Sequence, residues 1–184
     1  MDLQELVRSR KVEVAGAWSE LTLRTYPATS AGFFIGEKDP FRNPVGGTVR
    51  RCVAILLDGL LGDADESSVV EALDGIIRLR AVQDFTPGQA VGFVFLFREA
   101  LRGVLGDKLA ECPAEQRSEL VERVDRLAMR AFDVFTGCRQ RLFELRANEA
   151  KARVHSLLKR AGALDDEPAG PAAEPAATKG GCAV

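Results

Sequence analysis

The sequence has few of the residues from which catalytic and metal sites are built. It holds one histidine, His155, which lies in a basic stretch near the end of the last predicted helix. None of its cysteines forms a CxxC pair; they are Cys52, Cys112, Cys138 and Cys182. Catalytic triads need a histidine beside the nucleophile, and zinc sites generally show closely spaced ligands. We therefore expect a protein that is not an enzyme and that carries no cofactor or metal.

The sequence also lacks a long apolar run and a strong excess of charge. No apolar run approaches the roughly 18 residues that a membrane-spanning helix needs, and the run that begins at Val91 stops at Arg98. The first residues are polar and show no apolar core of a secretory signal. The formal net charge is only −2, which gives no general attraction to nucleic acid or anionic membranes. We expect a cytoplasmic protein with no nucleic-acid partner and no direct membrane insertion.

What the sequence does contain is apolar residues at spacings of three and four, the pattern of helices that bury one face. No segment of weight alternates with the period of two that a strand requires. The fold prediction is therefore all-α, with about five helices. These are predicted at residues 3–25, 45–61, 65 to about 80, 87–105 and 114–161, with an irregular segment at residues 27–44.

The sharpest local signal is a capping box at residues 86–89. The Thr86 hydroxyl can accept from the Gln89 N–H, while the Gln89 side chain reaches back to the Thr86 N–H. Pro87 suits the first helical position, where its missing N–H costs nothing. Residues 91–97 are then apolar except for Gly92. A helix that is apolar on every side must be surrounded by other helices, so we predict a central buried helix here.

The last predicted helix is unusually long. Between residues 114 and 161 there is no proline, and Gly137 is the only glycine. A continuous helix of about 48 residues measures about 70 Å, more than the width of a domain of this size. We therefore predict that residues 113–161 complete a core formed by residues 1–112 and then protrude. Residues 162–184 are rich in alanine, proline, glycine and acid, and a disordered tail is expected there.

The first half of this helix carries an apolar seam at alternating spacings of four and three, as in a short coiled coil. Part of the seam must also cover the core. The predicted dimer contacts are Leu120, Val124, Leu127, Ala131, Val134 and Phe135.

A polar group stands where the third predicted helix meets the buried one. Its members are Arg78, Arg80, Gln83 and Asp84. One interpretation is a site for a small ligand or a partner protein. The other is structural: Arg80 and Asp84, four residues apart, pair and help to satisfy the helix end.

Two segments carry a resemblance to a known family. They are Asp39-Pro40-Phe41-Arg42-Asn43-Pro44-Val45-Gly46 and Ile77-Arg78-Leu79-Arg80-Ala81-Val82-Gln83-Asp84-Phe85-Thr86-Pro87-Gly88-Gln89-Ala90. Together with Trp18 and the following Tyr26-Pro27, they resemble the RsbRD N-terminal domain family, the sensor region of bacterial RsbT co-antagonist proteins. The resemblance covers roughly residues 3–145.

The resemblance implies a globin-like helical bundle that binds no haem and forms a homodimer. In such proteins the last helix leads into a STAS domain, which engages switch kinases in the stressosome; here residues 162–184 follow instead. We therefore expect a sensor or adaptor that acts through protein–protein interaction with a switch kinase or a STAS protein. Two alternatives stay open: an accessory subunit of a bacterial respiratory or redox complex, and a small-molecule sensor with a pocket beside Phe93, Phe97 and Arg80.

Overall fold

The chain is helical in the part that a computed structural model describes, residues 2–83 and 85–160, and no strand occurs in that part. The all-α prediction is confirmed. In chain order the helices are α1 (Leu3–Ser9), α2 (Lys11–Arg24), α3 (Ala28–Gly36), α4 (Pro44–Leu61), α5 (Glu66–Val82), α6 (Pro87–Gly92), α7 (Leu96–Leu105), α8 (Lys108–Glu111) and α9 (Ala114–Arg160). The described residues divide into two units, one that ends at Phe143 and one that begins at Glu144.

Several helix ends lie where the local sequence predicts them. The Asn43 side chain accepts from the Gly46 N–H at 2.8 Å and begins α4. That helix ends at Gly62, whose φ of +82° is a conformation in which glycine has no steric penalty. The Asp65 carboxylate accepts from the Ser68 N–H at 2.9 Å and begins α5. These boundaries are predictable because each depends on residues within one turn of the helix end.

The N-terminal region differs from the prediction in two places. The single helix predicted for residues 3–25 is two helices, α1 and α2, that meet at Arg10. The irregular segment predicted for residues 27–44 is wrong for its first half, which forms α3. Ala31, Phe34 and Ile35 stand three and four residues apart there and pack on the core. Helical packing of those side chains outweighs the low helix propensity of Gly32 and Gly36 in the same segment.

The buried helix predicted for residues 87–105 is interrupted. Residues 93–95 form tight turns between α6 and α7, in which backbone hydrogen bonds span three residues instead of four. For example, the Val94 N–H donates to the Val91 carbonyl at 3.1 Å. The indole N–H of Trp18 donates to the Phe93 carbonyl at 2.7 Å, so this carbonyl bonds a side chain from another helix. The stretch is not buried on every side either, because 43% of Phe95 is exposed.

The core of residues 1–143 lies among α2, α4, α5 and α7, which pack against one another. α9 covers this core with its first half. Arg123 donates to the Leu60 carbonyl in α4 at 2.9 Å, and Arg139 donates to the Ala81 carbonyl in α5 at 3.4 Å. The predicted long helix is confirmed, with 47 residues.

The side chains of residues 148–160 are all exposed, His155 among them. Across the described ranges, none of the helices has the length and apolar character to cross a membrane. The disordered tail predicted at residues 162–184 lies outside the described residues.

Candidate functional site

The most unusual group in the molecule is the side chain of Arg80, near the C-terminus of α5. It is fully buried, at 0% exposure. Its guanidinium donates to three acceptors: the Gln89 carbonyl at 2.8 Å, the Thr22 carbonyl at 3.2 Å and the Thr25 hydroxyl at 2.8 Å. One side chain therefore joins the end of α5 to the end of α2 and to the first turn of α6.

Aromatic rings enclose the same guanidinium. Its central carbon lies 5.3 Å from the centre of the Tyr26 ring and 5.1 Å from those of Phe85 and Phe93. Tyr26 in turn meets Phe85 edge-on, with ring centres 5.4 Å apart. A cation that faces aromatic rings and is withdrawn from water gains about 2 kcal/mol from such a contact. The aromatic cage therefore replaces part of the hydration that Arg80 loses.

Electrostatics at the cage is set by burial. Burial lowers the pKa of the Arg80 guanidinium and raises the pKa of the Tyr26 phenol. No carboxylate of the described residues pairs with Arg80. Three buried polar atoms of the cage, the Arg80 Nε, the Tyr26 hydroxyl and the Thr22 hydroxyl, have no hydrogen-bond partner there. The hydrogen bonds and ring contacts of Arg80 are suited to holding three chain segments together.

The other members of the predicted polar site lie in different surroundings. Arg78 is exposed and pairs with Asp74 at 2.6 Å, one turn earlier in α5. Gln83 is exposed at the C-cap of α5. Asp84, the predicted partner of Arg80, lies outside the described residues. Arg80 faces the core while Arg78 and Gln83 face solvent, so these three do not share one surface.

The described cysteines are buried free thiols: Cys52, Cys112 and Cys138. Burial raises the pKa of the Cys52 thiol, which favours its neutral and unreactive form. Cys182 lies outside the described residues. Among residues 2–83 and 85–160, no three potential ligands are grouped so that they could hold a metal ion.

A second junction lies in the first of the two segments that carry the family resemblance, residues 39–46. The Asn43 side chain is fully buried and donates to the Phe34 carbonyl at 2.9 Å and the Glu37 carbonyl at 2.8 Å. Because it also caps α4, this one amide joins α3 to α4. The two junctions at Asn43 and Arg80 coincide with the two sequence segments that resemble a known family.

Comparison with known families supports that resemblance. Residues 12–150 match the family described as the RsbT co-antagonist protein rsbRD N-terminal domain. The chain belongs to the RsbRD N-terminal domain family. This family suggests a signalling domain of the sensor type and is a regulatory family not known for enzymatic activity.

One relative of this RsbRD N-terminal domain is an uncharacterized protein of Archaeoglobus fulgidus. It is 33% identical over 90 residues, which are 48% of this chain and 56% of the relative. The chain thus spans little more than half the length of that curated relative. No solved structure matches the chain.

The predicted dimer contacts of the domain lie mostly beneath its surface. Leu120, Val124, Leu127, Ala131 and Phe135 are all buried within the single chain, at 9% exposure or less, and Val134 is partly buried. These side chains cover the core of their own chain. An adjacent side of α9 carries exposed apolar residues that the sequence interpretation missed: Met129 at 64%, Phe132 at 46% and Phe143 at 71%.

Proposed function

We propose that this RsbRD N-terminal domain is a non-enzymatic sensor or adaptor of the cytoplasm that acts through protein–protein contacts and forms a homodimer. Family membership supports the signalling role. The observation that supports an interaction role is the exposed apolar side of α9. Isolated apolar side chains are common on protein surfaces, whereas a group of them marks an interaction site.

We define this surface, the α9 face, as Met129, Phe132 and Phe143 with the neighbouring Phe95. The three α9 residues stand three and eleven positions apart, which places them on one side of a helix with 3.6 residues per turn. Phe95 belongs to the same area because the Arg98 guanidinium lies 5.3 Å from the centre of its ring and pairs with Asp125 of α9. Large aromatic and methionine side chains are enriched at the centres of protein interfaces.

Replacing Phe132 with arginine is expected to weaken the dimer at least about tenfold, because a charge would enter an apolar contact. Sedimentation velocity at micromolar concentration measures the change. Val12→Arg is the matched control, since Val12 is 85% exposed on α2 and outside the α9 face. A wild-type protein that sediments as a monomer at this concentration contradicts the dimer. Equal weakening by both variants contradicts the assigned surface.

The partner is expected to be another signalling protein, either a switch kinase or a STAS protein. A tagged chain recovered from its native host, followed by mass spectrometry, identifies what binds it. Recovery of a switch kinase or a STAS protein with the wild type, and its loss with Phe132→Arg, supports the proposal. Recovery of respiratory or redox subunits instead favours the alternative of an accessory subunit. In that case the exposed basic residues near the end of α9 become the expected docking element: Arg146, Lys151, Arg153, Lys159 and Arg160.

A further inference from the structure

An apolar groove opens on residues 1–143 between α1, α7, α8 and the first part of α9. Its volume is about 290 Å³. Leu3, Phe97, Leu101 and Val124 line its floor, and each is at most 5% exposed. The volume lies near the lower end of the roughly 300–1,000 Å³ typical of ligand pockets. The floor can therefore receive a small aliphatic group without any movement of the helices.

Arginines surround this apolar floor. Arg98, Arg102 and Arg117 all line the groove. Arg98 is paired with Asp125. Arg102 donates through Nε to the Arg98 carbonyl of its own helix at 3.2 Å, and neither Arg102 nor Arg117 forms an ion pair with a described residue. Positive charge thus exceeds negative charge at the mouth of an apolar groove.

We propose that the groove binds an aliphatic carboxylate, with its chain on the apolar floor and its head group at Arg102 and Arg117. The planar guanidinium matches the two oxygens of a carboxylate, and the apolar floor removes the chain from water. An amine of the same length would be repelled by the arginines, and an alcohol would lose the charged contact. This inference deepens the proposed sensor role, on which it rests, by naming the class of molecule that is sensed.

The protein carries its own probe for this site. Trp18 is the only tryptophan, and its ring centre lies 5.2 Å from that of Phe97, which lines the groove. A ligand in contact with Phe97 should therefore change the fluorescence of Trp18. Titration with octanoate, octanol and octylammonium compares three polar head groups on alkyl chains of the same length. We expect octanoate to give a saturable change and to bind at least about tenfold more tightly than either of the others.

Variants of the arginines test the head-group contact. Arg102 and Arg117 are both exposed. Arg102→Gln and Arg117→Gln are therefore each expected to weaken octanoate binding about threefold to fivefold, at the upper end for an exposed charge pair. Octanol binding should not change. Arg126→Gln is the matched control, because Arg126 is an exposed arginine of α9 outside this groove. Circular dichroism checks that each variant is folded.

Three results would overturn the inference: no saturable response of the folded wild type to octanoate, equal affinity for octanoate and octanol, or equal weakening by Arg126→Gln. The proposed function is tested separately by sedimentation and by partner recovery. A protein that dimerises through the α9 face and recovers its partner but ignores octanoate refutes the ligand and leaves the adaptor role. A protein that binds octanoate but stays monomeric and recovers no partner refutes the adaptor role and leaves the ligand site.

Discussion

Replacing Arg80 with alanine is expected to lower the free energy of unfolding by about 3–5 kcal/mol, the range for breaking a buried charged network or emptying a large core site. Three acceptors lose their donor: the carbonyls of Gln89 and Thr22 and the hydroxyl of Thr25. The aromatic rings around the guanidinium lose their contact as well. Urea denaturation followed by circular dichroism measures the loss.

Two further variants decide whether the effect comes from the cage. Arg80→Lys should recover little of the free energy of unfolding that Arg80→Ala loses. The three acceptors are arranged for a planar guanidinium, and a single ammonium group cannot reach all of them. Arg78→Ala is the control on the same helix; its side chain is exposed, and little change in stability is expected. If the free energy of unfolding of Arg80→Ala is within about 1 kcal/mol of the wild-type value, the structural role is contradicted. A loss that small is typical of a surface substitution and not of a buried, hydrogen-bonded residue. Partner recovery with Arg80→Ala, measured where the variant is still folded, then separates scaffold from binding site.

The role of Arg80 was beyond prediction from the local sequence. Its partners Thr22 and Thr25 lie 58 and 55 residues earlier in the chain, so no spacing rule connects them with α5. The capping box at Thr86 and Gln89 was predictable for the opposite reason. Both of its bonds lie within four residues, and the structure shows both. Local chemistry fixes where helices begin, while tertiary packing decides which side chain turns inward.

α9 shows a second limit of sequence reasoning. It carries two apolar sides, one through Leu120 and Val124 and the other through Met129 and Phe132. The spacing of either side suits a helix interface. Only the packed chain reveals that the first side covers its own core, at 9% exposure or less, while the second stays open. The residues predicted as dimer contacts therefore do follow the periodicity of a helix face, and that face is the one that covers the core of their own chain.

Replacing Asn43 with alanine is expected to lower the free energy of unfolding by about 2–4 kcal/mol. The estimate combines an N-cap worth about 1 kcal/mol with two side-chain donations to backbone carbonyls, worth about 1 kcal/mol each. Those carbonyls belong to Phe34 and Glu37, and the capped N–H belongs to Gly46. The side chain is at 0% exposure, so water cannot replace the lost amide without a rearrangement. Thermal and urea denaturation measure the loss.

Asn43→Ser divides that effect into its parts. Serine keeps an acceptor for the Gly46 N–H but cannot bridge to both carbonyls, so it should recover the cap and no more, about a third to a half of the loss. Phe41→Ala is the neighbouring control; its ring is 94% exposed, and a change within about 0.5 kcal/mol is expected. If Asn43→Ser is as stable as the wild type, the amide serves only as a cap and does not hold α3 to α4. If it is as unstable as Asn43→Ala, the two carbonyl contacts carry the junction and the cap contributes little.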